Sequence, residues 1–220
     1  IDSIYLEWLS RTAGDDGSQD DGTASVLGQI LQPTIVALFL FFGMLTFAGH
    51  GIRTFTPIFV VDRFLLGEST ANLALTAYSS LTAVGIVVGA SLADDYSASD
   101  IIMVVLVAGG GAILLGTFTP AVTGAVPVIA LFGAIGLSLG LVLPSRDKLV
   151  SEAIDPGTVG TGFGFVFTGL SIGTVVGPAL LGYALDTTTV YLAMGLTGGG
   201  FVAAAAIVFL LQVWNSRTAS

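Results

Sequence analysis

The sequence has no cysteine, one histidine (His50), one lysine (Lys148) and few charges of any kind, with Asp, Glu, Lys and Arg making up 10% of its 220 residues. Each shortage removes a class of protein. Without cysteine there is no disulfide framework, thiol nucleophile or thiolate metal site, and a lone imidazole cannot build the commonest zinc centres, so no metal and no cofactor is expected. A water-soluble domain carries about 25% charged residues to cover its surface. A chain with less than half of that is not an ordinary soluble globule. Disorder is excluded for the opposite reason, since 54% of the residues are hydrophobic and the mean hydropathy is +0.94, whereas disordered chains are too polar to collapse. Bases are scarce as well. Six Lys and Arg against 15 Asp and Glu give a net charge of −9, which repels nucleic acid, and none is expected as a partner. No Gly-Lys-Ser/Thr sequence occurs, so a phosphate-binding loop is absent.

What the sequence does have is long apolar runs. From Pro33 onward six of them are long enough to cross a hydrocarbon core about 30 Å thick, which takes about 20 helical residues: 33–61, 70–93, 101–119, 122–143, 158–185 and 190–214. Short polar breaks separate them, at Asp62-Arg63 with Gly67-Glu68, at Asp94 to Asp100, at Thr119-Pro120, at Pro144 to Gly157 and at Asp186 to Thr189. Backbone groups in lipid must find partners within their own segment, so these runs are expected to be helices. A membrane β-barrel would show alternating strands of about ten residues, which these runs do not. The expected fold is an all-α membrane protein, a bundle of six transmembrane helices in a lipid bilayer.

Residues 1–32 differ from the rest. Thr12 to Thr23 reads TAGDDGSQDDGT, a solvated Gly/Asp/Ser stretch of linker type. The basic start of a signal peptide is missing, and a chain opening on Ile1 reads as a trimmed piece or a fragment of something longer. Residues 215–220 form a short polar tail. An even number of spans puts both ends on one side, where Arg11, Arg146, Lys148 and Arg217 also fall, against Arg63 alone on the other. By the positive-inside rule both termini are cytoplasmic, in a cell membrane. The preference for Asp over Glu and the single Lys read as the hydrated acidic loops of a high-salt environment.

The fifth run carries glycines at 160, 162, 164, 169, 173, 177 and 182, and Gly169, Gly173 and Gly177 fall every fourth residue on one face. Such spacing lets helix backbones approach closely in lipid. Weaker stripes are Gly85/Gly89 and Gly133/Gly136/Gly140. The pattern Gly164-x8-Gly173-x3-Gly177-Pro178-x2-Leu181-Gly182 resembles the fifth-helix signature of the major facilitator superfamily, with Leu181 in place of the first of two final glycines. Pro178 removes one helix hydrogen bond and bends the span, and the glycines let a neighbour follow the bend. A weaker match is Leu92-Ala93-Asp94 after the second run, where the family has Gly, Asp and a basic cluster; here Ala90 replaces the Gly and Asp95, Ser97, Ala98 and Ser99 replace the cluster. The resemblance covers Pro33 to Trp214 and implies half of a secondary transporter. The degraded basic loop favours the carboxy-terminal half, whose partner would be an amino-terminal six-helix half in the same or a separate chain. The first, second, fourth and fifth spans would then line the cavity or gate for a small solute, by alternating access.

Ionisable groups at membrane depth are functional suspects. His50 and Arg53 lie three residues apart on one face of the first run, roughly 26 and 30 Å along it from Pro33, nearer the outer mouth than the midplane. Two readings stay open. In one the pair is a gate or anion contact, with His50 able to carry a proton near neutral pH; in the other Arg53 snorkels to the outer interface and His50 bonds local backbone. Tyr78, Ser138 and Thr168 are the other transport or gating candidates. Ser79, Ser80, Thr82 and Ser171 are expected to bond back onto their own helices. Asp94 and Arg146 are cytoplasmic-loop candidates, Arg146 together with Asp147, Lys148 and Glu152. Gly169-Leu170-Ser171-Ile172-Gly173 matches a Gly-x-Ser-x-Gly nucleophile pattern, but that elbow needs a strand-turn-helix context, and no enzymatic activity is expected. The competing function is a polytopic scaffold or assembly subunit with no transport of its own.

Overall fold

The computed structural model describes residue 28 and residues 32–154 and 157–218. The acidic leader therefore lies almost wholly outside the described residues. Six helices follow in order: α1 (Pro33–Phe64), α2 (Glu68–Asp95), α3 (Ala98–Phe118), α4 (Ala125–Ala153), α5 (Val159–Thr187) and α6 (Val190–Thr218). All six are long and apolar enough to cross a membrane. Local chemistry explains several of their ends. Pro33 takes the first turn of α1, where its missing N–H is no loss, and Leu65 closes α1 in a left-handed conformation. Glu68 opens α2 and Arg63 sits in the last turn of α1, each sign favourable to the helix dipole there.

Several boundaries differ from expectation. Pro144 does not end the fourth helix, because α4 continues through it to Ala153 and buries Ser145 and Val150 on the way. Arg146, Asp147, Lys148 and Glu152 therefore stand on the last turns of α4 rather than in a loop. In the same way Asp94 belongs to the last turn of α2, which runs to Asp95. At the other end of the chain α6 continues through most of the expected tail, to Thr218. Packing against neighbours, which local stop signals do not report, carries these helices on.

The helices pair closely in three sets: α2 with α4, α1 with α5, and α3 with α6. A contact of α6 with α1, as extensive as that of α3 with α6, and a smaller one of α3 with α4 join the sets. The α1/α5 and α2/α4 pairs run parallel and meet through glycine. Along α5, Gly169, Gly173 and Gly177 stack against Phe39, Gly43 and Phe47 of α1, and along α2 and α4 Gly85 meets Gly140 while Gly89 meets Leu141. Gly136 rests on the backbone of Tyr78. In lipid, where apolar burial supplies little drive for association, this backbone approach and its dispersion contacts hold the pairs together. Gly164, the first glycine of the motif, has nothing near it.

The core centres on α1. Phe41, Phe42, Leu45, Ile52 and Phe59 of α1 are almost wholly buried, joined by Tyr78 of α2 and Phe132 of α4. Phe165 stacks on Phe39 at 4.8 Å, and Phe167 meets Phe42 edge-on at 6.1 Å, so the alternating phenylalanines of α5 pack against α1. Outward-facing apolar residues such as Val87, Val104, Val126 and Val175 are exposed.

Candidate functional site

The deepest polar cluster lies where α1, α4 and α5 meet. The chain starts α1 and ends α6 at one end of the bundle, here the terminal end; the other is the distal end. α1 and α4 run antiparallel, as two contacts fix: Phe59 against Phe132 toward the distal end (6.3 Å between ring centroids) and the Arg146 guanidinium 4.9 Å over the Phe42 ring toward the terminal end. Between these levels is a groove of about 180 Å³ lined by His50, Arg53, Arg146, Leu139, Leu143 and Leu170, among others. That volume exceeds the roughly 30 Å³ one water occupies in the liquid. His50 is near the middle of the 32-residue α1 and Leu139 near the middle of the 29-residue α4. His50 is thus near the middle of α1, and Arg53 lies one turn farther toward the distal end.

The structure brings some of the expected residues together and not others. Arg53 is exposed, His50 partly so, and both line the groove. Tyr78 is fully buried on α2, and its hydroxyl has no hydrogen-bond partner among the described residues. Arg146, expected as a loop residue, lines the groove and bonds Asp147 at 3.0 Å. Ser138 instead lies beside Gly109 of α3 and donates to the Ala134 carbonyl at 2.9 Å. Thr168 is exposed on α5 and donates to Gly164. Neither is part of the groove lining. Asp94 is exposed at the end of α2.

Ser79, Thr82, Ser171 and Thr197 bond back four residues, to Leu75, Tyr78, Phe167 and Ala193, at 2.7–2.9 Å, whereas Ser80 makes no such bond among the described residues. Ser171 thus sits inside continuous α5, so the Gly-x-Ser-x-Gly segment forms no strand-to-helix elbow.

Two functional contacts lay beyond sequence reasoning. Arg63 donates from Nε to the Thr117 carbonyl (3.0 Å) and from Nη2 to the Thr119 carbonyl (2.8 Å), closing the end of α3. Lys148 donates to the Ala93 carbonyl near the end of α2. Both satisfy carbonyls that a helix end leaves open. The partners are more than 50 residues away in sequence, so no local pattern announces them.

A bundle of six apolar helices with a polar groove at mid-depth is the architecture of a multi-pass membrane protein. The model of the Major Facilitator Superfamily matches residues 34–220, and the chain belongs to that family. It is similar to the uncharacterized MFS-type transporter YybF of Bacillus subtilis (strain 168), 25% identical over 186 residues that make up 80% of this chain and 45% of that protein. Its fold is similar to a crystal structure of the peptide transporter POT in complex with sulfate, with a TM-score of 0.68, 21% identity and coverage of 80% of this chain and 37% of that one. It is also similar to tetrameric PepTSo2, with a TM-score of 0.63, 16% identity and coverage of 81% and 40%. The chain thus spans less than half the length of the relatives it matches.

Proposed function

We propose that this chain is one six-helix half of a secondary transporter that carries a small solute across the cell membrane by alternating access. It rocks against an amino-terminal six-helix half around a site near the midplane. The observation that carries this reading is the mid-depth groove between α1, α4 and α5, in a family member that matches only 45% of a full-length relative. The two least buried helices, α2 and α5, leave faces open for such a partner. Arg146, Lys148 and Arg217 at the terminal end against Arg63 at the distal end support cytoplasmic termini. The degraded basic cluster after Asp94 supports the carboxy-terminal half.

The test is solute flux in proteoliposomes with and without an amino-terminal six-span half. Flux only when both are present is the expected result. A stable pore-like conductance from this chain alone would refute the reading.

A further inference from the structure

The inference rests on the transporter reading and specifies its substrate class. The bases of the bundle have distinct duties: Arg63 and Lys148 close neighbouring helix ends, and Arg146 bonds Asp147 and covers Phe42. Arg53 pairs with no carboxylate of the described residues. It is exposed at mid-depth in the groove that His50 also lines. A guanidinium and an imidazole that can donate are what an oxygen anion requires. No carboxylate lines the groove, and its other walls are mainly leucine.

We propose that Arg53 and His50 bind the carboxylate or phosphate group of a small anionic solute, with Arg146 of the same groove extending the positive potential toward the terminal end. The acidic net charge of the whole chain does not oppose this, since six of the acids fall in residues 1–32 and screening weakens fields from solvated charges beyond about 8–10 Å.

The test is thermal unfolding of the purified chain in detergent at fixed ionic strength, with phosphate, succinate, glucose or spermidine added. Phosphate or succinate is expected to raise Tm by roughly 5 °C at saturation, and glucose and spermidine to leave it unchanged. Arg53→Gln is expected to weaken the apparent anion affinity at least about tenfold, and Arg53→Lys to keep part of it. The absence of an anion shift, an equal shift with spermidine, or a shift untouched by Arg53→Gln overturns the proposal. A repeat in phosphatidylcholine and phosphatidylglycerol nanodiscs separates the source. Phosphatidylglycerol replacing the soluble anion, in an Arg53-dependent way, keeps the oxyanion site but assigns it to a lipid headgroup. Flux without an anion shift overturns the substrate class alone, whereas anion binding without flux supports the site and overturns the transporter reading.

Discussion

Gly173 of α5 lies so close to Gly43 of α1 that a Cβ built at position 173 would overlap the Gly43 carbonyl oxygen. One turn away, Gly169 meets the Phe39 carbonyl in the same way, and a Cβ built at Gly177 would stand 3.1 Å from the Phe47 Cα. Both helices are apolar along this seam, so what selects the pairing is shape. Gly173→Ala forces the two backbones apart, and overpacking of this kind costs about 1–3 kcal/mol. Gly164→Ala is the internal control. With open space around it, that change is expected to be neutral or to stabilise by up to about 1 kcal/mol through helix propensity. Thermal unfolding of both variants in detergent checks the contrast, and equal losses would mean that the glycines act through the backbone and not through the interface.

Arg63 is a second structural determinant, at the distal end. Its two N–H bonds to Thr117 and Thr119 close α3, while its guanidinium stands 5.2 Å from the Phe64 ring centroid and 5.7 Å from that of Tyr191. One side chain thereby ties α1, α3 and α6. Arg63→Met removes charge-assisted bonds worth about 1.5–3 kcal/mol and is expected to lower Tm accordingly. It should also speed amide exchange at the last turn of α3. Lys at this position offers one ammonium in place of the fork and should recover only part of the loss. Unchanged exchange at the end of α3 would reject the capping role.

The apolar runs were legible because crossing a bilayer is a local property, set by length and composition. The helix ends were less so. Pro144 reads as a stop, but it removes a single hydrogen bond, and the packing of Ser145 and Val150 beyond it outweighs that loss. The α5 glycine stripe told that a close neighbour exists and not that it is α1, since register between helices leaves no trace in one sequence. For the site, His50 and Arg53 could be paired from their three-residue spacing. Arg146 reaches the same groove from α4, which only the tertiary structure reveals. Ser138, chosen for its polarity alone, faces α3.

Tyr78 supplies a prediction independent of any ligand. A buried hydroxyl with no partner among the described residues is disfavoured by about 1–3 kcal/mol. Tyr78→Phe keeps the ring in its packing against α4 and removes the stranded oxygen, so the anion-free protein is expected to gain about 1 kcal/mol. Tyr78→Ala instead opens a cavity in the core and is expected to lose about 3–5 kcal/mol. Chemical or thermal unfolding of the two variants, compared at one salt concentration, checks both signs. A loss on Tyr78→Phe would show that the hydroxyl has a partner in the free protein.

At the terminal end Lys148 has two contacts of different kinds, and they can be separated. Its ammonium donates to the Ala93 carbonyl near the end of α2, and it lies 3.9 Å from Glu152 one turn along α4. The second is an exposed pair, with 57% of the Glu152 side chain accessible, and such pairs contribute about 0–1 kcal/mol and are weakened by salt. The first fills a carbonyl that the helix end leaves open, in a partly buried position. Lys148→Met is therefore expected to lose about 1–3 kcal/mol, while Glu152→Gln should change stability by less than about 0.5 kcal/mol. Raising KCl should shrink the Glu152→Gln effect toward zero and leave most of the Lys148→Met effect. Equal losses for the two variants would instead place the stabilisation in the ion pair and remove the argument that α4 holds the end of α2.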